Sequence, residues 1–314
     1  MRSKSMNKYA LIFPGQGSQK LGMLADYYAE MSGVQTTFNE ASEALGFDLW
    51  AVIQNDADKL AQTQFTQPAL LAASVAVYRI LRERGLPEAS LMAGHSLGEY
   101  SALVCAGAMD FSDALRLVKA RGEFMQAAVP AGTGAMSAII GLGDNEVRAI
   151  CEEVSKTGLV DAANFNAPGQ VVISGALAAV EKASELAKEQ GARMAKLLPV
   201  SVPSHCGLMK PAAEKLSKEL ENIKLKKSKV PVIHNADVEY YENTDDIKDA
   251  LVRQLYMPVR WAETVNAIAG EGALTLIECG SGKVLSGLNK RINKEIISHN
   301  TDSLVDLNKF FETV

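Results

Sequence analysis

Residues 90–107 read SLMAGHSLGEYSALVCAG, and this stretch decides the fold. The short apolar run Ser90–Ala93 predicts a buried strand, and Leu97–Ala106 predicts a helix. Between them, GHSLG has the Gly-x-Ser-x-Gly pattern of a nucleophile elbow, in the expected strand–turn–helix context. The two glycines allow a tight turn, and the turn presents Ser96 as a candidate nucleophile for an acyl carbonyl.

The segments around this turn alternate between short apolar runs and longer helical patterns. Leu21–Leu45 and Gln67–Arg84 are helical by pattern, with Pro68 expected in the first turn of the second helix. The other segments are strands at Tyr9–Phe13, Val230–Ile233 and Leu274–Glu278, and helices at Lys210–Leu220, Ile247–Tyr256 and Val284–Asn293. This alternation predicts an α/β fold with a mostly parallel sheet.

Residues 134–199 follow a different order. Strand, helix, two strands, helix and strand succeed one another, which is the split βαβ order of a ferredoxin-like unit. The predicted organisation is therefore a large domain formed by residues 7–132 and 200–314, with a small domain inserted at 133–199. The six segments are Gly134–Gly141, Asp144–Lys156, Val160–Phe165, Gln170–Ser174, Leu177–Gln190 and Arg193–Leu198.

A serine nucleophile needs a base, and the chain has four histidines. His95 lies in the elbow, where its side chain is expected to diverge from that of Ser96. His299 is near a polar C-terminal segment and is expected at the surface. His205 lies in a proline-bounded loop where the chain re-enters the large domain, which suits a base. The sequence favours His205 modestly over His234, which follows a predicted strand.

Arg121 falls on the apolar stripe of the helix that begins after Asp110. A buried guanidinium needs an anionic partner. One interpretation is a structural ion pair or a snorkelling side chain. The other is a bidentate clamp on a substrate carboxylate. Periodicity alone favours the structural interpretation.

Composition narrows the possible partners and compartments. The net charge of −5 over 314 residues disfavours nucleic acid as a partner. No apolar stretch of about 18 residues occurs, so no membrane span is expected. The four cysteines include no Cys-x-x-Cys pair, and neither a metal site nor a bound cofactor is predicted. The N-terminus lacks the apolar core of a signal peptide, so a cytoplasmic location is expected.

Seven motifs, taken together, resemble the malonyl-CoA:acyl carrier protein transacylase family of fatty acid synthesis, from about Tyr9 to the C-terminal helix. The family fold is an α/β-hydrolase-like large domain that carries a ferredoxin-like insertion. One departure is GSG at 280–282, where the family usually has Gly-Pro-Gly; it is expected to lie away from the chemistry. The motifs are FPGQGSQ (13–19), TQPA (66–69), GHSLGEY (94–100), RG (121–122), NFNAPGQ (164–170), PSH (203–205) and QLYxP (254–258).

The resemblance implies catalytic roles for five residues. Ser96 carries the acyl group, and His205 is the general base and then the general acid. Gln254 matches the residue whose main-chain carbonyl orients that histidine. Gln16 and Leu97 match the backbone donors of the oxyanion hole. For Leu97 this agrees with its position at a helix N-terminus, where unpaired N–H groups stabilise negative charge.

The resemblance also implies how substrates are bound. Arg121 matches the arginine that pairs with the malonyl carboxylate, which reverses the interpretation that its periodicity favours. Gln67 and Asn164 match other positions that line the pocket. The donor is malonyl-CoA, and the acceptor is the phosphopantetheine thiol of an acyl carrier protein.

An acidic carrier protein would dock on local positive charge, and a monomeric enzyme is expected. Arg193 and Lys196, on the last strand of the predicted insertion, are the preferred docking charges. Lys290 and Arg291, on the C-terminal helix, are a second basic pair.

Three competing interpretations remain. An α/β-hydrolase-type esterase or thioesterase shares the elbow, but its histidine usually lies near the C-terminus, and Arg121 has no role in a neutral-ester site. A non-catalytic scaffold would have lost Ser96 or His205, and both are present. A discrete polyketide-type acyltransferase is closely related and would differ in pocket shape.

Overall fold

A computed structural model describes residues 8–200 and 202–313. The strands of its larger sheet are β1 (Tyr9–Phe13), β2 (Leu91–Gly94), β7 (Val232–Ile233), β8 (Thr275–Glu278) and β9 (Ile297–Asn300). They are all parallel, in the order β7-β2-β1-β8-β9. This confirms the predicted α/β class with a parallel sheet.

Helices cover both faces of this sheet. Leu11 and Phe13 of β1 pack into one hydrophobic cluster, whereas Ala10 and Ile12 pack into another. Burial on both faces explains why β1 is continuously apolar rather than alternating. The helices outside the smaller sheet are α1 (Ala25–Glu30), α2 (Ser32–Leu45), α3 (Leu49–Asn55), α4 (Ala57–Leu60), α5 (Thr63–Glu83), α6 (Gly98–Cys105), α7 (Phe111–Ala127), α10 (Lys210–Glu221), α11 (Thr244–Gln254), α12 (Trp261–Gly270), α13 (Val284–Ile292) and α14 (Leu304–Thr313).

The smaller sheet is antiparallel and has the order β4-β5-β3-β6. Along the chain its elements run strand, helix, strand, strand, helix, strand, as predicted. They are β3 (Gly134–Ile140), α8 (Asp144–Ser155), β4 (Val160–Ala167), β5 (Gln170–Ala176), α9 (Leu177–Glu189) and β6 (Met194–Leu197). The domain limits at 132/133 and 199/200 remain a prediction. Residues 7, 201 and 314 of the predicted large domain lie outside the described residues.

Each face of the smaller sheet has a separate role. One face packs against α8 and α9 and forms its own hydrophobic cluster. On the other face, Met136 and Val172 pack with Leu198, and all three line a cavity at the larger sheet's carboxyl edge. The smaller sheet therefore forms one wall of that cavity.

Several sequence predictions of elements were wrong. Helix α5 begins at Thr63 rather than Gln67, so Pro68 lies in the second turn and not in the first. The segment after Ile296 is not a polar tail but strand β9 followed by α14. His299 on β9 is half-buried against the ring of Phe310, 5.2 Å between ring centroids, and not a surface residue. The short helices α3 and α4, and α12, were not predicted.

The loops that follow four neighbouring strands meet at the carboxyl edge of the larger sheet. The elbow follows β2, the loop containing Gln16 follows β1, Asn235 comes shortly after β7, and Gly280 follows β8. In open parallel sheets this edge is where ligands bind. Across the described residues, no helix is long and apolar enough to cross a membrane.

Candidate active site

The elbow is tight enough that only glycine fits at its two ends. A Cβ on Gly94 would lie 1.9 Å from the carbonyl carbon of Gly98. A Cβ on Gly98 would lie 2.0 Å from the carbonyl oxygen of Phe13. Between them, Ser96 adopts the left-handed backbone conformation, with φ of 52°. This conformation is uncommon for a residue with a side chain and is typical of strained functional turns.

Ser96, His205 and Gln254 form one hydrogen-bonded chain. The Oγ of Ser96 lies 2.8 Å from Nε2 of His205, and Nδ1 of His205 lies 2.8 Å from the main-chain oxygen of Gln254. A carbonyl oxygen can only accept, so Nδ1 carries the proton and Nε2 is free to accept the proton of Ser96. This is the geometry of a nucleophile, a base and an orienting group.

The loop that holds His205 is itself constrained. His205 has φ of 62°, and its N–H donates to the carbonyl of Leu255 at 3.0 Å. The loop and the end of α11 are therefore tied together on both sides of the imidazole. Ser201, in the same loop, lies outside the described residues.

His205 is buried, and its environment keeps it neutral. Burial, followed by the nearby positive charge of Arg121, lowers the pKa of His205 to about 3. The hydrogen bond to the carbonyl of Gln254 acts in the opposite direction. The imidazole is therefore unprotonated near neutral pH, which is the form that a general base requires.

The two other histidines near the elbow have different contacts. Nδ1 of His234 lies 2.7 Å from a carboxylate oxygen of Glu99, and both side chains are fully buried. Nε2 of His95 lies 2.8 Å from Oδ1 of Asn166 on β4. Neither ring hydrogen-bonds to Ser96, so the geometry favours His205 over His234 as the base.

Arg121 is fully buried beside the nucleophile. Its Nη2 donates to Oε1 of Gln254 at 2.9 Å and, more weakly, to Oγ of Ser96 at 3.3 Å. Its Nη1 donates to Oε1 of Gln67 at 2.8 Å. Burial lowers the pKa of Arg121. These acceptors are all neutral, and among the described residues Arg121 forms no ion pair.

The surroundings of Arg121 thus argue against a structural ion pair. Its Nε is buried and has no hydrogen-bond partner in the described part of the chain, and the guanidinium lies over the ring of Tyr100, 5.3 Å from the centroid. Burial of a charge among neutral dipoles is costly unless an anion is bound there. A small carboxylate reaching the site would supply that anion, next to Ser96.

Two backbone N–H groups stand near the nucleophile. Leu97 is the N-cap of α6, and Gln16 lies in the exposed loop after β1. Neither N–H donates a hydrogen bond within the described part of the chain. The N–H of Ser96 itself is occupied, because it donates to Oδ1 of Asn235 at 2.7 Å.

The cavity above Ser96 has a volume of about 380 Å³. Residues of the smaller sheet and of loops that follow strands of the larger sheet line it, including strand β4 and the Gln16 loop after β1. Asn164 of β4 lines the cavity at a register shift in the pairing of β4 with β5. Gly280-Ser281-Gly282 packs behind that loop, and Oγ of Ser281 donates to the carbonyl of Ser18 at 3.1 Å. This segment thus supports one wall of the cavity, closer to the chemistry than expected.

The predicted docking charges lie outside the cavity. Arg193, Lys196, Lys290 and Arg291 are all exposed. Arg291 donates to Oε1 of Gln170 at 2.7 Å, and Gln170 lines the cavity. No group of His, Cys, Asp and Glu side chains suited to hold a metal ion occurs in the described ranges.

Sequence reasoning missed two residues that contact the elbow from behind. Asn235 hydrogen-bonds to the backbone of the elbow, and the fully buried Glu99 hydrogen-bonds to Asn235, His234 and Gln254. The available signal was weak. Glu99 is a charged residue in the first turn of a helix whose other residues are mostly apolar or small.

Comparison with known proteins gives consistent matches. The model of the acyl transferase domain family matches residues 10–295. Over 288 residues the chain is 57% identical to the malonyl CoA-acyl carrier protein transacylase of Escherichia coli (strain K12), covering 91% of this chain and 93% of the relative.

Solved structures agree over nearly the whole length. An acyl carrier protein S-malonyltransferase from Vibrio cholerae O1 biovar eltor superposes with a TM-score of 0.95 at 53% identity, over 97% of this chain and 100% of that one. A malonyl-transacylase in complex with its type II PKS acyl-carrier protein has a TM-score of 0.97 at 51% identity, over 98% and 100% of the two chains.

Proposed function

Because the chain belongs to the acyl transferase family and resembles its malonyl-CoA:acyl carrier protein transacylases over nearly its whole length, we propose that it transfers malonyl from malonyl-CoA to an acyl carrier protein. The observation that carries this proposal is the buried Arg121, whose hydrogen-bond acceptors among the described residues are neutral and whose Nη2 lies 3.3 Å from Oγ of Ser96. A carboxylate on the acyl group would pair directly with this guanidinium.

In the first half-reaction, Ser96 attacks the thioester carbonyl of malonyl-CoA. Nε2 of His205 takes the proton from Oγ, and the main-chain oxygen of Gln254 holds the resulting imidazolium through Nδ1–H. The N–H groups of Gln16 and Leu97 stabilise the oxyanion of the tetrahedral intermediate. The carbon–sulfur bond then breaks, and His205 returns its proton to the leaving CoA thiolate.

In the second half-reaction, the phosphopantetheine thiol of the carrier protein attacks the malonyl ester. His205 takes the thiol proton, the same N–H groups hold the oxyanion, and the carbon–oxygen bond to Ser96 breaks. His205 then protonates the Ser96 alkoxide, which restores the enzyme. The balance is one thioester consumed and one formed, with no net proton change.

Arg121, Gln67 and Asn164 are the proposed acyl-binding residues: Asn164 lines the cavity, whereas Arg121 and Gln67 are fully buried and are not among its lining residues. Gln67 and Gln254 hold the guanidinium from two sides, and its Nη2 lies 3.3 Å from Oγ of Ser96. This fixed orientation suits bidentate pairing with a distal carboxylate.

The decisive experiment is intact-mass analysis after incubation with malonyl-CoA, followed by peptide mapping. We expect one malonyl group on Ser96 and none in Ser96→Ala. A label on another residue, such as Cys206, would contradict the mechanism. Transfer to water faster than to a pantetheine thiol would instead indicate a thioesterase.

The carrier protein is proposed to dock beside the mouth of the cavity. Arg193 and Lys196 are exposed near β6, whose following residues Leu198 and Val200 line the cavity. Their charge suits an acidic carrier. A monomeric state and a cytoplasmic location remain predictions, and size-exclusion chromatography with light scattering tests the first.

A further inference from the structure

The backbone of Ser96 is held between two side-chain amides. Its N–H donates to Oδ1 of Asn235 at 2.7 Å, and its carbonyl oxygen accepts from Nε2 of Gln254 at 2.9 Å. Nδ2 of Asn235 also donates to the carbonyl of Gly94 at 2.6 Å. The Asn235 amide therefore bridges the end of β2 and the nucleophile itself.

Asn235 extends a sheet ladder by means of its side chain. Strands β2 and β7 pair at Met92↔Val232 and Ala93↔Ile233, and β7 then ends. Gly94, the last residue of β2, pairs with Phe13 of β1 on its other side, but the β2–β7 pairing does not extend to Gly94 or to Ser96 beyond it. The side-chain amide of Asn235 offers them one donor and one acceptor, as a peptide group would.

One buried carboxylate contacts both residues, Asn235 through its backbone and Gln254 through its side-chain amide. Oε2 of Glu99 accepts from the backbone N–H of Asn235 at 2.9 Å and from Nε2 of Gln254 at 3.0 Å. Oε1 of Glu99 lies 2.7 Å from Nδ1 of His234. Glu99 and His234 are fully buried, so this contact is insulated from solvent.

Such support matters because Ser96 has the left-handed backbone conformation. For a residue with a Cβ this conformation persists only where surrounding contacts over-determine it. A relaxed Ser96 would move its Oγ away from Nε2 of His205. Reaction rates fall steeply when the reacting atoms are misplaced by about 1 Å.

We propose that Asn235, anchored by Glu99, is a positioning residue that holds the Ser96 backbone in the strained conformation needed for acylation. This inference rests on the proposed function, since acylation is the step that it serves. Asn235 acts through Ser96. Within the described residues it forms no hydrogen bond with Arg121, so its loss leaves the hydrogen bonds of the guanidinium in place.

The test is the kinetics of Ser96 acylation by malonyl-CoA in Asn235→Ala. We expect the rate at saturating malonyl-CoA to fall about 10- to 100-fold. We expect KM to change by less than about threefold, because uniform binding of the substrate is retained. A purely structural role would lower thermal stability and leave the rate per folded molecule unchanged, which would overturn the proposal.

Asn235→Asp provides a second readout. The carboxylate can still accept from Ser96 but cannot donate to Gly94 until it gains a proton. Position 235 is buried, and burial raises the pKa of a carboxyl above its ordinary value. The acylation rate of Asn235→Asp should therefore rise relative to that of Asn235→Ala as the pH is lowered between about pH 8 and pH 5. Parallel pH profiles for the two variants would contradict the bridging role.

Asn289→Ala is the matched control. Asn289 is also a fully buried asparagine with a side-chain hydrogen bond, to Oγ of Ser298 at 3.2 Å, on α13. This variant should lose stability and keep the wild-type acylation rate.

Hydrogen exchange in the wild-type protein tests the idea without any variant, in case the Asn235 variants do not fold. The amide of Ser96 should be strongly protected, and exchange as fast as that of an exposed loop would overturn the proposal. A wild-type enzyme that malonyl-CoA does not acylate would instead refute the proposed function, so the two failures are distinguishable.

Discussion

Replacing Arg121 by alanine should abolish the preference for malonyl over acetyl that the proposed role of this arginine implies. The malonyl carboxylate would enter the buried site without a partner, and removing one member of such a pair costs about 2–5 kcal/mol. At about 1.4 kcal/mol per tenfold, kcat/KM for malonyl-CoA should fall about 30- to 5,000-fold. Acetyl has no charge to leave unpaired, so its transfer should be unchanged or improved.

Two further variants distinguish the effect of the positive charge of Arg121 from the effect of its size and shape. Arg121→Lys keeps the charge but loses the planar donors that bond Gln67 and Gln254, so its malonyl activity should fall between wild type and Arg121→Ala. Arg121→Met fills most of the same space without charge and should behave like Arg121→Ala toward malonyl-CoA. The assay is kcat/KM for malonyl-CoA and acetyl-CoA in all four proteins. An equal loss for both substrates in Arg121→Ala and Arg121→Met would mean that Arg121 only supports the structure.

Three further outcomes are expected. First, burial lowers the pKa of His205 to about 3, so the imidazole stays neutral and kcat/KM for acylation should not fall between roughly pH 8 and pH 5. A fall in kcat/KM near the ordinary pKa of histidine would show that the base is not a buried His205. Second, Gly98→Ala should destabilise the fold by about 1–3 kcal/mol or more in chemical unfolding, since its Cβ would meet the carbonyl of Phe13, whereas Gly287→Ala, with open space around it, should not. Third, reversing the charges of Arg193 and Lys196 should raise the KM for the carrier protein about tenfold at low salt and leave the loading of malonyl onto Ser96 intact. Reversing the charge of the exposed Lys218 is the control and should change neither quantity. An unchanged KM in the first variant would show that Arg193 and Lys196 do not contact the carrier protein.

The elements that position the site were largely predictable because their signals are local. The apolar run, the glycines and the helix around Ser96 lie within a few residues of one another, and the structure places strand β2 and helix α6 there. The inward position of Arg121 also followed from the apolar stripe of α7, where it is fully buried. Strand β9 was missed because it is an edge strand with an exposed Ile297 and little apolar character.

The partners of the site residues were not predictable, because they come from distant parts of the chain. Periodicity placed Arg121 inside but favoured an ion pair, whereas its acceptors are the amides of Gln67 and Gln254. Residue patterns favoured His205 over His234 only modestly, because the choice depends on which loop reaches Ser96, and the resemblance to the family was needed to assign His205. The role of Asn235 depends on where β7 ends relative to β2, and no local pattern encodes that.

The order of the strands in the larger sheet determines when the active site can assemble during synthesis of the chain. The hydrogen-bond partners of Ser96 lie 109 positions later at His205 and 158 positions later at Gln254. Central strand β1 pairs on one side with β2 and on the other with β8, which lies close to the other end of the chain. Pairings between such distant segments form late in folding. A nascent chain that has emerged only through the elbow would therefore display Ser96 without its base, and the ability to accept malonyl should appear only once the last third of the protein has left the ribosome and docked.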